Sequence, residues 1–311
     1  MPVSLIYDSL FLTHDTGPTH FEVAQRLECI LQTLRADETL SRKLQLIAPK
    51  PASEDDLLRC HDERMVRGIR DYIERGGTHL DVDTPVSETS FDVSCLAAGA
   101  AITGVEFVMK QAGSRAFALS RPPGHHATPE RPMGFCLFNH AAVAARYAQA
   151  TYGLEKVLIV DWDVHHGNGT QDIFWQDNTV FFFSTHQSPH YPGTGDRNET
   201  GEGKGEGYTL NIPLAAETPA KTQRESFREA LRLIEQRFHP DLVIISAGFD
   251  SHRDDPLGNL LLEDSDFAEL TKDVLRIAEK YSEGRVVSIL EGGYNLDLLG
   301  GSVRSHLDAL L

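Results

Sequence analysis

Val157-Leu158-Ile159-Val160 running into Asp161-Trp162-Asp163-Val164-His165-His166-Gly167-Asn168-Gly169 is the stretch that decides the fold. A strand with one wet face alternates polar and apolar residues, whereas an unbroken apolar run marks a strand covered on both faces, as in a parallel sheet. Here the run stops and ionisable side chains follow at every second position. The pattern recurs: Arg115–Ser120 (RAFALS) leads into RPPGHHATPERPMGF, Asp241–Ser246 (DLVIIS) into AGFDSHRDDP, and Arg285–Ile289 (RVVSI) into LEGGYN. In an open parallel sheet the carboxyl ends of the strands share one edge, and ligands bind there. Four motifs distant in sequence are therefore expected at one place.

Outward from these strands, VSLIY (3–7), TVFFFS (179–184) and YTLNIPL (208–214) read as further strands. Val23, Leu27, Ile30, Leu31 and Leu34 recur at helical spacing and predict a helix over 21–36. Further helices are expected near 54–75, 90–112, 139–152, 219–238, 264–282 and 298–310. Alternating strands and helices make an α/β fold with a mainly parallel sheet flanked by helices. No repeat or linker divides the chain, so residues 1–311 read as one domain. The Gly-rich acidic stretch Pro192–Gly207 reads as a surface loop or as part of an active-site rim.

Composition narrows the partners. With 29 Lys plus Arg against 46 Asp plus Glu, the formal charge is −17, which repels nucleic acid and attracts cations. Cys29, Cys60, Cys95 and Cys136 are scattered, which fits neither a disulfide framework nor a thiolate zinc site. The start MPVSLIYDSL lacks the features of a signal peptide, and no apolar run approaches the length of a membrane span. The chain reads as soluble and cytoplasmic, with no membrane partner.

The chemistry follows from the strand ends. If the chain stays extended, Asp161, Asp163 and His165 project from one side. Asp163 and His165, joined by Asp250, make three protein ligands and leave a position open for water or substrate, as a catalytic divalent ion requires. Zinc suits the set, and Fe2+, Co2+ or Mn2+ are also compatible with carboxylate-rich ligands. His125 and His126 follow a Pro-Pro-Gly turn and suit proton transfer near neutral pH, with Asp161 the candidate carboxylate partner. Tyr294, after paired glycines, has a phenol suited to donate to a developing oxyanion.

Taken together, the order of these motifs resembles the histone deacetylase and acetylpolyamine amidohydrolase superfamily, whose fold is arginase-like. The likeness runs from His20-Phe21-Glu22 and Arg26 through Arg121–His126, Gly134-Phe135-Cys136, Asp161–Gly169, Pro192–Gly195 and Ala247–Asp250 to Glu291–Asn295. The Asp161–Gly169 wording and Asp255-Pro256-Leu257-Gly258 resemble the class II branch and its bacterial relatives.

The resemblance implies a zinc-dependent deacylase acting on an acyl-lysine peptide or protein, with acetylpolyamine or another small acylated amine as the alternative. It implies Asp163, His165 and Asp250 as metal ligands, His126 as base and then acid, His125 with Asp161 as electrostatic support, and Tyr294 as oxyanion donor. Phe135, Tyr191, Leu257, Gly292 and Asp83 are the implied substrate channel. Structural potassium is implied at Asp161, Asp163, His165, Ser184 and Thr185, and at Phe174, Asp177, Val180 and Tyr208. Two departures stand out: Asn168 replaces the Asp of class I members, which leaves the second histidine without a charged partner, and Phe21 replaces the usual Pro after His20. A binuclear ureohydrolase shares the fold but needs further His and Asp ligands.

Overall fold

The computed structural model describes residues 3–311. Its strands are β1 Val3–Ile6, β2 Leu44–Ile47, β3 His79–Asp81, β4 Thr84–Pro85, β5 Arg115–Ala118, β6 Val157–Asp161, β7 Val180–Gln187, β8 Thr209–Leu214, β9 Leu242–Ala247 and β10 Val286–Leu290. Its helices are α1 Gln25–Ala36, α2 Glu38–Ser41, α3 Glu54–Leu57, α4 Glu63–Glu74, α5 Ser90–Val108, α6 His140–Tyr152, α7 Asn168–Phe174, α8 Ala220–Glu235, α9 Asp264–Tyr281 and α10 Leu299–Leu310. Eight strands form one sheet in the order β2-β1-β5-β10-β9-β6-β7-β8. Every pairing in it is parallel. Strands β1, β5, β6, β7, β9 and β10 are buried throughout, as their unbroken apolar runs require.

Right-handed crossovers fix which face each helix covers. Connections that step along the sheet toward β8 put α5, α6 and α7 on one face; those that step back, through α1, α8 and α9, put these on the other. The packing agrees, with α5 against α6 and α6 against α7, and with α8, α9, α10 and α1 side by side. The four strands that carry the motifs, β5, β10, β9 and β6, are neighbours at the centre of the sheet. Next to each other, β5 and β10 send their chains to opposite faces, and so do β9 and β6. A crevice opens at such switch points.

Four points differ from the sequence reading. The helix expected over 54–75 is two, α3 and α4, separated where Asp62 N donates to Pro129 O at 2.8 Å and ties the break to the loop after β5. Helix α1 begins at Gln25 rather than 21, because Glu22 is held out of the helix by the arginines described next. Strand β2 went unread, since LQLI alternates and only half buries at the sheet edge. The 19-residue α5 is long and apolar enough to cross a membrane by length and composition, contrary to the reading of the sequence, and is buried against the sheet.

One ion cluster ties the N-terminal loop to the motif edge. Arg121 grips Glu22 through Nε and a second nitrogen, both at 2.8 Å, while Arg26 reaches the same carboxylate at 3.1 Å; all three side chains are fully buried. Burial alone would raise Glu22, but the two guanidinium groups outweigh it and hold it well below the usual carboxylate range. A carboxyl with a depressed folded pKa adds stability above its unfolded value of about 4.3, and that stability is lost as the pH falls toward the folded value. Glu22→Gln leaves two buried cations with a weaker partner and should lower stability by about 3–5 kcal/mol at pH 7. Denaturant melts from pH 7 to pH 3 check this: the wild type's advantage over the variant should be full above about pH 4.3 and shrink steadily as the pH falls below it.

Candidate active site

Beyond β6 the chain bends instead of staying extended. Asp161 Oδ1 accepts from Asp163 N at 3.1 Å, and Asp163 Oδ1 from His165 N at 2.9 Å. Short carboxylates capture the N–H two residues on, the usual habit of Asp in turns. The expected side-by-side set of 161, 163 and 165 is therefore corrected: Asp163 and His165 meet, while Asp161 stands behind His125. Asp250 joins the first two from the end of β9. The ligand atoms of Asp163, His165 and Asp250 lie within 4.8 Å of one another, and all three residues are buried.

Backbone donors aim this trio. Gly292 N occupies Asp163 Oδ2 at 2.8 Å, and Val164 N occupies Asp250 Oδ1 at 2.8 Å. The remaining oxygens face His165 Nδ1, Asp163 Oδ1 at 2.9 Å and Asp250 Oδ2 at 3.2 Å. That Asp250 oxygen has no hydrogen-bond partner beyond this close approach of the imidazole. Burial, with Asp163 beside it, pushes the Asp250 carboxyl up to about 7. His165 is lifted to about 10 although its burial works the other way, because both carboxylates bear on it.

Two buried carboxylates and an imidazole thus call for a positive charge, and Asp163, His165 and Asp250 together could hold a divalent cation. Zinc fits the donor set, and the oxygen share also admits Fe2+, Co2+ or Mn2+. A Cβ at Gly292 would stand 2.1 Å from Asp250 Oδ2, so only glycine leaves room for this carboxylate. Among the described residues this is the one group with metal-ligand geometry, which leaves a binuclear ureohydrolase without its second ligand set.

The histidine pair lies alongside. His125 Nδ1 is 2.9 Å from Asp161 Oδ2, and His126 Nδ1 is 2.8 Å from Asn168 Oδ1. His126 thus has the uncharged partner expected of Asn168. Burial opposes a charge on either ring. In His125 the carboxylates of Asp161 and Asp163 overcome it and lift the pKa to about 10; in His126 the cations His125 and His165 add to it and hold the pKa well below the ordinary value. Sequence reading missed the support of this turn: the buried Glu291 carboxylate accepts from Gly124 N at 2.7 Å, His125 N at 3.2 Å and Ser246 Oγ at 3.0 Å.

A cavity of about 210 Å3 opens above the trio and is lined by His126, His165 and Tyr294 together with Asp83, Phe135, Tyr191 and Leu257. Gly292 lies beneath it, donating to Asp163, rather than in its wall. Phe135 holds a φ of 69°, a region costly for an aromatic residue, fastened by its N–H to Thr84 Oγ1 at 3.2 Å. Its ring meets Tyr294 at 5.9 Å and His20 at 4.6 Å. His190 also lines the cavity, stacked on His165 at 4.9 Å and bonded to Leu257 O at 2.8 Å. Its one signal was its place beside Tyr191 after β7. Tyr294 is buried, which keeps its phenol protonated far beyond neutrality, and the Arg26 guanidinium lies 4.8 Å from its ring centre.

The two oxygen-rich groups implied as potassium sites lie on β6, on β7 and in the segments beside them. Ser184 pairs with Asp161 across β6 and β7, followed by Thr185, whose buried hydroxyl lacks a partner. Asp177, Phe174, Val180 and Tyr208 surround the turn that enters β7, where Asp177 Oδ1 caps Thr179 N at 2.6 Å and its carboxylate meets Arg146. The Pro192–Gly207 stretch packs on this side. His166 Nδ1 lies 2.8 Å from Thr194 Oγ1, His186 Nε2 lies 3.0 Å from Gly195 O, and Glu199 accepts from Gly195 N at 3.0 Å and Gln171 Nε2 at 2.6 Å.

Comparison with known proteins bears on this geometry. The model of the histone deacetylase domain matches residues 20–310. The chain is 42% identical to "Histone deacetylase 14, chloroplastic" of Arabidopsis thaliana, over 99% of this chain and 76% of that protein. It is 40% identical to a "Probable deacetylase" of Archaeoglobus fulgidus, over 96% and 82%. It is 36% identical to a "Histone deacetylase-like amidohydrolase" of Pseudomonas aeruginosa, over 88% and 71%. The crystal structure of the HDA15 HD domain superposes with a TM-score of 0.92 at 35% identity, covering 100% of this chain and 89% of that one.

Asp250→Ala should leave two ligands for the ion, and Gly292→Ala should push the Asp250 and Asp163 oxygens apart. Both variants should fold yet bind zinc at least about 100-fold more weakly than the wild type, read by competition with a chromogenic chelator.

Proposed function

Since the chain belongs to the histone deacetylase family and is thereby a deacetylase-type hydrolase, we propose that it hydrolyses the amide of an acylated lysine in a peptide or protein. The observation that carries this reading is one cavity lined by His126, His165 and Tyr294, with Asp163 and Asp250 grouped against His165 at its base. At about 210 Å3 it is smaller than the ~300–1,000 Å3 pockets of drug-sized ligands, and it suits a slender linear group.

The proton path follows from the hydrogen bonds. Asn168 Oδ1 only accepts, so His126 carries its hydrogen on Nδ1 and keeps a lone pair on Nε2. Nε2 takes a proton from the attacking water and passes it to the departing amine. Asp163, His165 and Asp250 would hold a divalent ion, zinc by the family's habit, and such an ion would supply Lewis-acid polarisation of the carbonyl and acidification of the water. The Tyr294 phenol donates to the oxyanion. His125, kept cationic by Asp161, adds positive charge near the same oxygen. Potassium at the two oxygen-rich groups belongs to this reading as a structural ion.

Leu257 at the cavity mouth favours acyl-lysine over an acetylpolyamine. A second ammonium passing an apolar rim loses hydration without gaining a partner, whereas the backbone end of a peptidyl lysine is neutral. Asp83 in the same wall favours the polyamine, but its Oδ1 is already used by Thr84 Oγ1 and Gly134 N at 2.9 and 3.3 Å.

Tyr294→Phe should keep the zinc and lower kcat about 100-fold or more, with KM changing less. The substrate assignment is tested by kcat/KM for an acetyl-lysine peptide and for acetylspermidine. The wild type should prefer the peptide, and Leu257→Glu should move the ratio toward the polyamine by about tenfold. A wild type that prefers acetylspermidine contradicts the assignment.

A further inference from the structure

Asp255 carries a buried carboxylate that no lysine or arginine pairs with among the described residues. Both of its oxygens go to backbone N–H groups. Oδ2 accepts from Tyr294 N at 2.7 Å, and Oδ1 accepts from Leu257 N at 2.9 Å. Its own N–H donates to His252 O at 3.0 Å, and the neighbouring Asp254 O accepts from Asn295 Nδ2 at 2.7 Å. One carboxylate therefore staples the loop after β9, which carries Asp250 and Leu257, to the loop after β10, which carries Tyr294.

The Tyr294 segment is gripped from its other side as well, where Arg26 Nε donates to Gly293 O at 2.7 Å and a second Arg26 nitrogen to Glu291 O. Gly293, at a φ of 122°, has little intrinsic preference to hold the following residue in place. What sets the height of the phenol above the trio is then the pair of opposed anchors, a cation on carbonyls and a carboxylate on an N–H.

We propose that Asp255 is a positioning residue: by holding the Tyr294 and Leu257 N–H groups together it registers the phenol against the reacting carbonyl and the cavity mouth. This rests on the reading of Tyr294 as the oxyanion donor. A carboxylate is required because two N–H groups need two acceptors. An amide offers one acceptor and would turn an NH2 group toward the other N–H.

The test is a double-mutant cycle on the zinc-loaded enzyme with Asp255→Asn, Tyr294→Phe and the pair. Asp255→Asn should keep the zinc content and lower kcat on an acetyl-lysine peptide about 10- to 100-fold, with a smaller change in KM. In the Tyr294→Phe background the same change should cost less than about twofold, because the phenol it positions is already gone. Asp255→Glu, which keeps both acceptors, should restore part of the rate, and it carries the cycle if the Asn variant does not fold.

Calorimetric affinity for a peptide bearing a trifluoromethyl ketone, whose hydrate offers an oxygen to the phenol, reads the same coupling without turnover. Equal losses in both backgrounds, or zinc loss in Asp255→Asn, would overturn the proposal while leaving the deacylase reading intact. A wild type that neither turns over the peptide nor binds the ketone would overturn that reading, and this proposal with it.

Discussion

Two carboxylates, Asp163 and Asp250, are buried with their free oxygens on the same imidazole, and the architecture around them makes that tolerable. Like charges this close and this far from water are costly unless a cation and fixed dipoles answer them. The dipoles are the N–H groups of Val164, from the strand end next to that of Asp250, and of Gly292, which reaches Asp163 across β9 from the end of β10, so the charge trio exists only where β6, β9 and β10 lie side by side. The parallel sheet is the means of delivering three loops to one point.

Around that point lie further buried charges, each holding one loop. The Glu22, Arg26 and Arg121 cluster fastens the N-terminal loop and, through Arg26, the carbonyls at Gly293 and Glu291. Glu291 fastens the Gly124-His125 turn after β5. The outcome is a pair of histidines with opposite tendencies, set apart by one carboxylate and one amide partner: His125 favours its charged form and His126 its neutral one. Environments that push two titratable groups apart in this way suit one to electrostatic support and the other to proton transfer.

Much of this could be read before the structure. Unbroken apolar runs gave away the buried parallel strands, and their shared carboxyl edge brought together Asp163, His165, Asp250, the histidine pair and Tyr294. What stayed hidden has common physical causes. LQLI at β2 is an edge strand with a mixed pattern. Asp161 left the expected row because its carboxylate captured a backbone N–H, an interaction that spacing alone does not encode. Glu291 and Asp255 act on backbone N–H groups of other loops, and His190 reaches the cavity only through the turn after β7. A partner on a distant loop leaves no local signature.

The central claim is that the charge demand of the Asp163–His165–Asp250 trio is met by one divalent ion on which amide hydrolysis depends. The most direct measurement follows acetate release from an acetyl-lysine peptide as zinc is titrated back into chelator-stripped protein. The account predicts no release at the start and a linear rise that breaks at one ion per chain. Full activity in the stripped protein would contradict it.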